Sequence, residues 1–165
     1  MLELPGDLWT IEADARCVTT NGVVRPSGAL VMGAGNARQA IQRYPGIDKR
    51  LGRLVRAYGN RPYYLADLGI ISFPTKHDWH NDSDLELIQI SALHLVELAD
   101  EHKLARVALP RPGCGLGGLE WADVRPVLAV ILDDRFLVVH KDGPAGSQPA
   151  PARPHEESAP KHLRK

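Results

Sequence analysis

Two glycine-rich segments, Met32-Gly33-Ala34-Gly35-Asn36-Ala37 and Gly113-Cys114-Gly115-Leu116-Gly117-Gly118, limit the folds open to this chain. Each follows a short apolar run that reads as a strand, and each precedes a stretch that reads as a helix. A glycine-rich turn feeding a helix start presents backbone N–H groups and the positive end of a dipole to an anion. Without a Cβ, the backbone can come close to a ligand. Two such turns, far apart in sequence, predict one pocket that grips a diphosphate-containing ligand from both sides.

Composition narrows the setting. At 165 residues the chain fits one domain with a single core, followed by a tail. Lys+Arg and Asp+Glu balance at 20 each, so no global field draws in nucleic acid or an anionic membrane, and any nucleic-acid partner must be held by a local patch. Cys17 and Cys114 stand far apart and form no Cys-x-x-Cys pair, which fits a reducing cytoplasm. No apolar run reaches the length of a membrane span, so we expect no membrane partner and a cytoplasmic monomer. Residues 143–165 hold five prolines, Pro144, Pro149, Pro151, Pro154 and Pro160, and almost no large apolar residue. We expect a disordered tail there and a folded domain over residues 1–142.

Within the domain, strands and helices alternate. The sequence predicts strands over Leu8–Ile11, Ala15–Thr20, Tyr63–Ala66, Leu68–Phe73, Arg106–Pro110 and Phe136–His140. Helices are predicted over Asn36–Tyr44, ended by Pro45, and over Asp48–Ala57, ended near Gly59-Asn60. Ser83-Asp84-Leu85-Glu86 reads as a capping box before a helix whose Leu85, Ile88, Ala92, Leu95 and Ala99 share one face. Asp123 reads as the N-cap of a last helix, with Pro126 in its first turn. This alternation predicts an α/β fold, a three-layer α/β/α sandwich around a mixed sheet, with both glycine loops at the carboxyl ends of strands.

Several residues carry chemistry or a plainer alternative. Lys76 follows a strand and is placed to project over the pocket mouth, either as a nucleophilic amine or as a charge that stabilises a leaving oxyanion. His77, Asp78, His80 and Asp82 resemble a metal cluster, but no cysteine or third histidine stands near, and no metal or cofactor is expected. Trp79 either anchors its loop or stacks on a base. Gly113, Gly115 and Gly118 spell Gly-x-Gly-x-x-Gly, a dinucleotide-binding fingerprint that fits poorly here, since it normally opens a βαβ unit with an acid about 20 residues on and only one strand remains after it. Cys114 fits small-residue packing better than nucleophilic attack, for lack of a neighbouring histidine. Lys49, Arg53 and Arg56, with Arg50 and Arg61 nearby, form a basic helix face that is either simply solvated or a phosphate contact.

Gly6-Asp7-Leu8, Asp14-Ala15, Thr20-Asn21, Met32-Gly33-Ala34-Gly35 and Gly113-Cys114-Gly115-Leu116 resemble, in order and spacing, the macrodomain family. Phe73-Pro74-Thr75-Lys76-His77-Asp78-Trp79-His80 and Leu109-Pro110-Arg111-Pro112-Gly113-Cys114-Gly115 are similar to the branch of DNA ADP-ribosyl glycohydrolase antitoxins and terminal ADP-ribose protein glycohydrolase. The resemblance implies an ADP-ribose pocket and a hydrolase that removes ADP-ribose from modified targets. It makes Asp14, beside Ala15, the acid that reads adenine, although an acid heading a strand also forms turns. Asn21 would contact the distal ribose, or simply turn the chain with Gly22; the family's first asparagine in that stretch is Val18 here. Gly33, Ala34, Gly35 and Asn36 would wrap ribose and diphosphate, and Gly113, Cys114, Gly115, Leu116, Gly117 and Gly118 would complete the cradle. His80 and His140 join the implied substrate contacts, and Lys76 would stand beside the anomeric carbon. The protein-directed relative has an aspartate where this chain has Gly117, which favours ADP-ribosylated DNA over protein as partner. Alternatives are a reader that binds ADP-ribose without turnover, and a hydrolase of protein-linked or small-metabolite ADP-ribose esters.

Overall fold

A computed structural model of the protein describes residues 1–141. The expected tail over 143–165 and the expected domain end at 142 lie outside the described residues. Six strands form one sheet: β1 (Leu2–Pro5), β2 (Ala15–Thr20), β3 (Tyr64–Leu65), β4 (Ile70–Pro74), β5 (Val107–Leu109) and β6 (Phe136–His140). Their order across the sheet is β1-β6-β5-β2-β4-β3, and every pairing is parallel except the β3–β4 hairpin. The helices are α1 (Gly35–Arg43), α2 (Ile47–Tyr58), α3 (Leu85–Glu101) and α4 (Trp121–Ala129).

Alternation along the strands sorts side chains into two layers, because successive residues point to opposite faces. Cys17, Ile71, Phe73, Phe136 and Val138 pack with Ile88, Ala92, Leu95, Val124 and Leu128 of α3 and α4. Val18 and Ile70 pack on the other face with Ala37, Ala40, Ile47, Leu51 and Val55 of α1 and α2. The result is a three-layer α/β/α sandwich with a mixed sheet, as the alternation predicts. No helix among the described residues is long and apolar enough to cross a membrane.

Three local expectations are corrected. Leu8–Ile11 is a turn, not a strand, and the first strand is Leu2–Pro5. Asp7 imposes the turn: its carboxylate accepts the Trp9 N–H at 2.7 Å, and its carbonyl accepts the Thr10 and Ile11 N–H groups. The Arg16 guanidinium closes it by donating to the Leu8 and Ile11 carbonyls. The cap of α3 is Asp84, whose carboxylate accepts the Glu86 N–H at 3.0 Å, rather than Ser83. Ser83 is drawn away because its N–H donates to the Gly117 carbonyl at 2.8 Å, and its hydroxyl is buried against that residue. Finally, α4 starts at Trp121, so Asp123 lies inside its first turn and Pro126 lies within the helix. Trp121 sets that start, being buried with its indole N–H donating to Glu3 at 2.9 Å.

One glycine sets the wall above the future site. A Cβ at Gly52 would collide with the Gly28 carbonyl oxygen, so α2 presses directly on the 22–31 loop.

Candidate functional site

The carboxyl ends of β2, β4 and β5 open into a cavity of about 480 Å³. Both glycine loops line it, and they face each other: a Cβ on Gly35 would stand 3.9 Å from Leu116 Cδ1. Helix α1 begins at Gly35 with no side-chain cap, so the N–H groups of its first turn lack intrahelical partners at the cavity wall.

Asn21 and Asn36 hold the first loop in place. Asn21 Nδ2 donates to the Val31 carbonyl at 2.8 Å, while its Oδ1 accepts the Val23 N–H at 3.0 Å. Asn36 Oδ1 accepts from both the backbone N–H and the hydroxyl of Thr19, at 3.2 and 3.0 Å. These side chains therefore tie loop 21–36 to the end of β2, besides lining the cavity.

Lys76 leaves the end of β4 by way of Thr75, whose N–H donates to the Thr20 carbonyl and whose carbonyl accepts the Asp84 N–H. Its Nζ donates to the carbonyls of Trp79 and Leu116, each at 3.4 Å, so it bridges its own loop and the second glycine loop at the cavity rim. The Lys76 carbonyl accepts the Asn60 side-chain amide at 3.0 Å, which fixes the backbone beneath it. Beside it, His77 Nε2 lies 2.8 Å from Asp84, and that hydrogen bond, against an opposing desolvation, holds the Asp84 carboxyl below its ordinary range.

The sequence-derived residues divide by position. Asn21, Gly33, Ala34, Gly35, Asn36, Lys76, Gly113, Cys114, Leu116 and Gly117 line the cavity together. Gly115 and Gly118 shape the same loop but do not line it. Asp14 and Ala15 are a correction. They stand where β2 begins, about 13 to 17 Å along the strand from Thr19 at the cavity, at roughly 3.3 Å per residue, and the Asp14 carboxylate accepts the Ala105 and Arg106 N–H groups at 2.8 and 2.9 Å. His80 is also off the cavity wall, exposed and paired with Asp78 at 2.6 Å. His140 is buried at the end of β6, where its carbonyl accepts the Gly6 N–H. Burial pushes the Cys114 thiol up to about 11, against the pull of Arg111, so at neutral pH it is a poor nucleophile. Among the described residues no group of three or more His, Cys, Asp or Glu side chains could hold a metal.

The structure adds residues that sequence reasoning passed over. Arg25, Thr75, Ser83 and Arg111 line the main cavity, and the Arg111 guanidinium lies over the Trp121 ring at 5.2 Å. A second cavity of about 170 Å³ shares Asn36 and Pro110 with the first and is lined by Asp7, Leu8 and Trp9. Asp7 is the only carboxylate lining either cavity among the described residues, whereas Arg25, Lys76 and Arg111 line the larger one. The signal for Asp7 was in the sequence: a Gly-Asp turn directly after the short alternating run Leu2-Glu3-Leu4.

Comparison with known proteins decides the family. The macro domain family model matches residues 53–128. The solved macrodomain of Mycobacterium tuberculosis DarG is 32% identical, with a TM-score of 0.69 over 81% of this chain and 92% of that one. This chain belongs to the macro domain family. The macrodomain of Thermus aquaticus DarG aligns at 26% identity with a TM-score of 0.71, over 86% of this chain and 97% of that one. Among curated proteins, a DNA ADP-ribosyl glycohydrolase of Mycobacterium bovis is 35% identical over 130 residues, which is 72% of this chain. This macro domain spans about a third (35%) of that relative's length. The Thermosipho africanus DarTG structure in complex with ADP-ribose shares the fold, with a TM-score of 0.70 at 24% identity over 84% of this chain and 41% of that one.

Proposed function

We propose that this macro domain binds ADP-ribose and removes it from ADP-ribosylated DNA. The observation that carries the reading is the lining of the main cavity: two facing glycine loops, three cationic side chains and no carboxylate. The N–H groups at the start of α1, faced across the cavity by Gly113, Leu116 and Gly117, suit the diphosphate. The smaller cavity suits adenine, with the Asp7 carboxylate as acceptor for its exocyclic amine. Asn36 and Pro110, common to both cavities, mark where the two ends of the ligand join. The curated relatives named DNA ADP-ribosyl glycohydrolase support the choice of linkage.

The chemistry follows from what the cavity lining lacks. With no carboxylate at the main cavity, attack by water on the anomeric carbon has no side-chain carboxylate as base, and a phosphate oxygen of the ligand is the nearest chemical substitute. Lys76 then serves as donor. Its Nζ, steered by the Trp79 and Leu116 carbonyls, stands where a departing base gathers negative charge, and a positioned cation there lowers the barrier.

Incubation with single-stranded DNA bearing ADP-ribose on thymidine, beside protein bearing it on glutamate, tests the reading. The expected result is free ADP-ribose from the DNA. Release from neither, with ADP-ribose still bound in calorimetry, would make the domain a reader. Release from protein alone would move the substrate class.

A further inference from the structure

The cavity mouth is electrically lopsided. The 77–84 segment carries Asp78 and Asp84, paired with His80 and His77, and Asp82. Arg25 and the outer face of α2 present Lys49, Arg53 and Arg56, all exposed, with Arg61 just beyond the helix. The helix buries Ile47, Leu51 and Val55, so Lys49, Arg53 and Arg56, at spacings of four and three residues, share the solvent face. Arg50 is taken up by Asp67 through two hydrogen bonds of 2.9 and 2.8 Å and does not belong to this face.

Two contacts join the basic face to the site. Arg56 Nη2 donates to the Arg25 carbonyl at 3.1 Å, and Arg25 itself lines the cavity. Asn60, just past the end of α2, donates to the Lys76 carbonyl at 3.0 Å. At the junction stands Trp79, a cavity-lining indole that is 56% exposed.

We propose that the outer face of α2 is the track for the unmodified single strand flanking an ADP-ribosylated nucleotide. The strand leaves the mouth past Trp79, where a base stacks, and its phosphates pass over Arg25, Arg56, Arg53 and Lys49. Stacking on an indole tolerates any base, and cations on one helix face follow a backbone without reading sequence. The eight residues from Lys49 to Arg56 span about 10 Å, enough for more than one phosphate of an extended single strand. A path along the far end of the 77–84 segment would instead run phosphates past Asp82 and Asp84, where like charges repel.

The inference rests on the DNA reading above, and the test separates the two. ADP-ribose release is measured from a modified 20-mer and from a modified mononucleotide, for the wild type, Lys49→Glu/Arg53→Glu, and Lys103→Glu, which alters a cation in the turn after α3. Expected is a rise of about tenfold in KM on the 20-mer for the α2 variant alone, with the mononucleotide unaffected. Its salt slope should fall by about 1.4, from two lost contacts at about 0.7 each. Strands extended only on the 5′ or only on the 3′ side should respond in one arm, which gives the polarity. An α2 variant equal to wild type on the 20-mer, or impaired equally on the mononucleotide, overturns the track and leaves the proposed function standing. A wild type that binds ADP-ribose yet releases none from any DNA overturns both.

Discussion

The two glycine loops look alike in sequence and are held by opposite means. In the first, Gly33 has an ordinary backbone conformation, and a Cβ there would meet no atom within 4 Å. Nothing in the fold asks for glycine at that position, and the loop is fastened by the amides of Asn21 and Asn36. In the second, Gly113 has a φ of +79°, and a Cβ would stand 2.6 Å from Ile88 Cδ1; a Cβ at Gly117 would strike the Ser83 hydroxyl. The fold itself demands those glycines. Gly35 of the first loop is also required by its φ of +54°, so it is Gly33, which the fold leaves free, that marks where the ligand's close approach is expected.

Removing the amine that ties the 76–79 loop to the second glycine loop should produce the largest effect. Lys76→Ala is expected to cut the rate of ADP-ribose release about 10²–10³-fold while leaving ADP-ribose affinity within about threefold, as single-turnover assays and calorimetry would show. Unchanged turnover would dismiss Lys76 as the acting residue. Gly113→Ala comes next. Its left-handed backbone and tight contact should cost about 2–3 kcal/mol of stability, read from the urea midpoint.

Gly33→Val reverses that pattern and tests the comparison directly. Stability should move by less than about 0.5 kcal/mol, while ADP-ribose affinity falls at least about tenfold, or about 1.4 kcal/mol. A destabilised Gly33→Val with normal affinity would show that both loops are folding devices. Asn36→Ala is expected to cost about 1–2 kcal/mol for the bonds lost to Thr19, with affinity falling because the loop loosens.

The smallest effect is a pH dependence. The folded Asp84 carboxyl is held below its ordinary value by the bond to His77, so its share of stability is present above the ordinary carboxyl range. That share fades as the pH falls through the lowered value. Asp84→Asn should flatten this stretch of the melting-temperature profile between neutral and acid pH. Since the pair is partly exposed, the change should be slight and weaken with salt.

Much of the fold was legible because it rests on short-range rules. Short apolar runs marked β2, β4 and β6, and Pro45 and Gly59 ended α1 and α2 where steric limits require. The site was legible in its loops, since glycines before a helix are a local pattern, and in Lys76, which directly follows a strand. Asp14 was misplaced for a long-range reason. A residue before a parallel strand and a residue after one reach opposite edges of the sheet, and Asp14 comes before β2 while Asn21 follows it. Asp7 follows β1, so it reaches the cavity edge, but β1 has only four residues and was hidden by the apolar turn after it.

By itself the sequence determined the layers, the two loops and the lysine between them, because these depend on spacing along the chain. Only the tertiary structure decided which acid lies at the ligand, which amides are already used as ties, and how α2 comes to flank the mouth. Those depend on register across the sheet and on the contact of Gly52 with the 22–31 loop, which join residues that no local pattern connects.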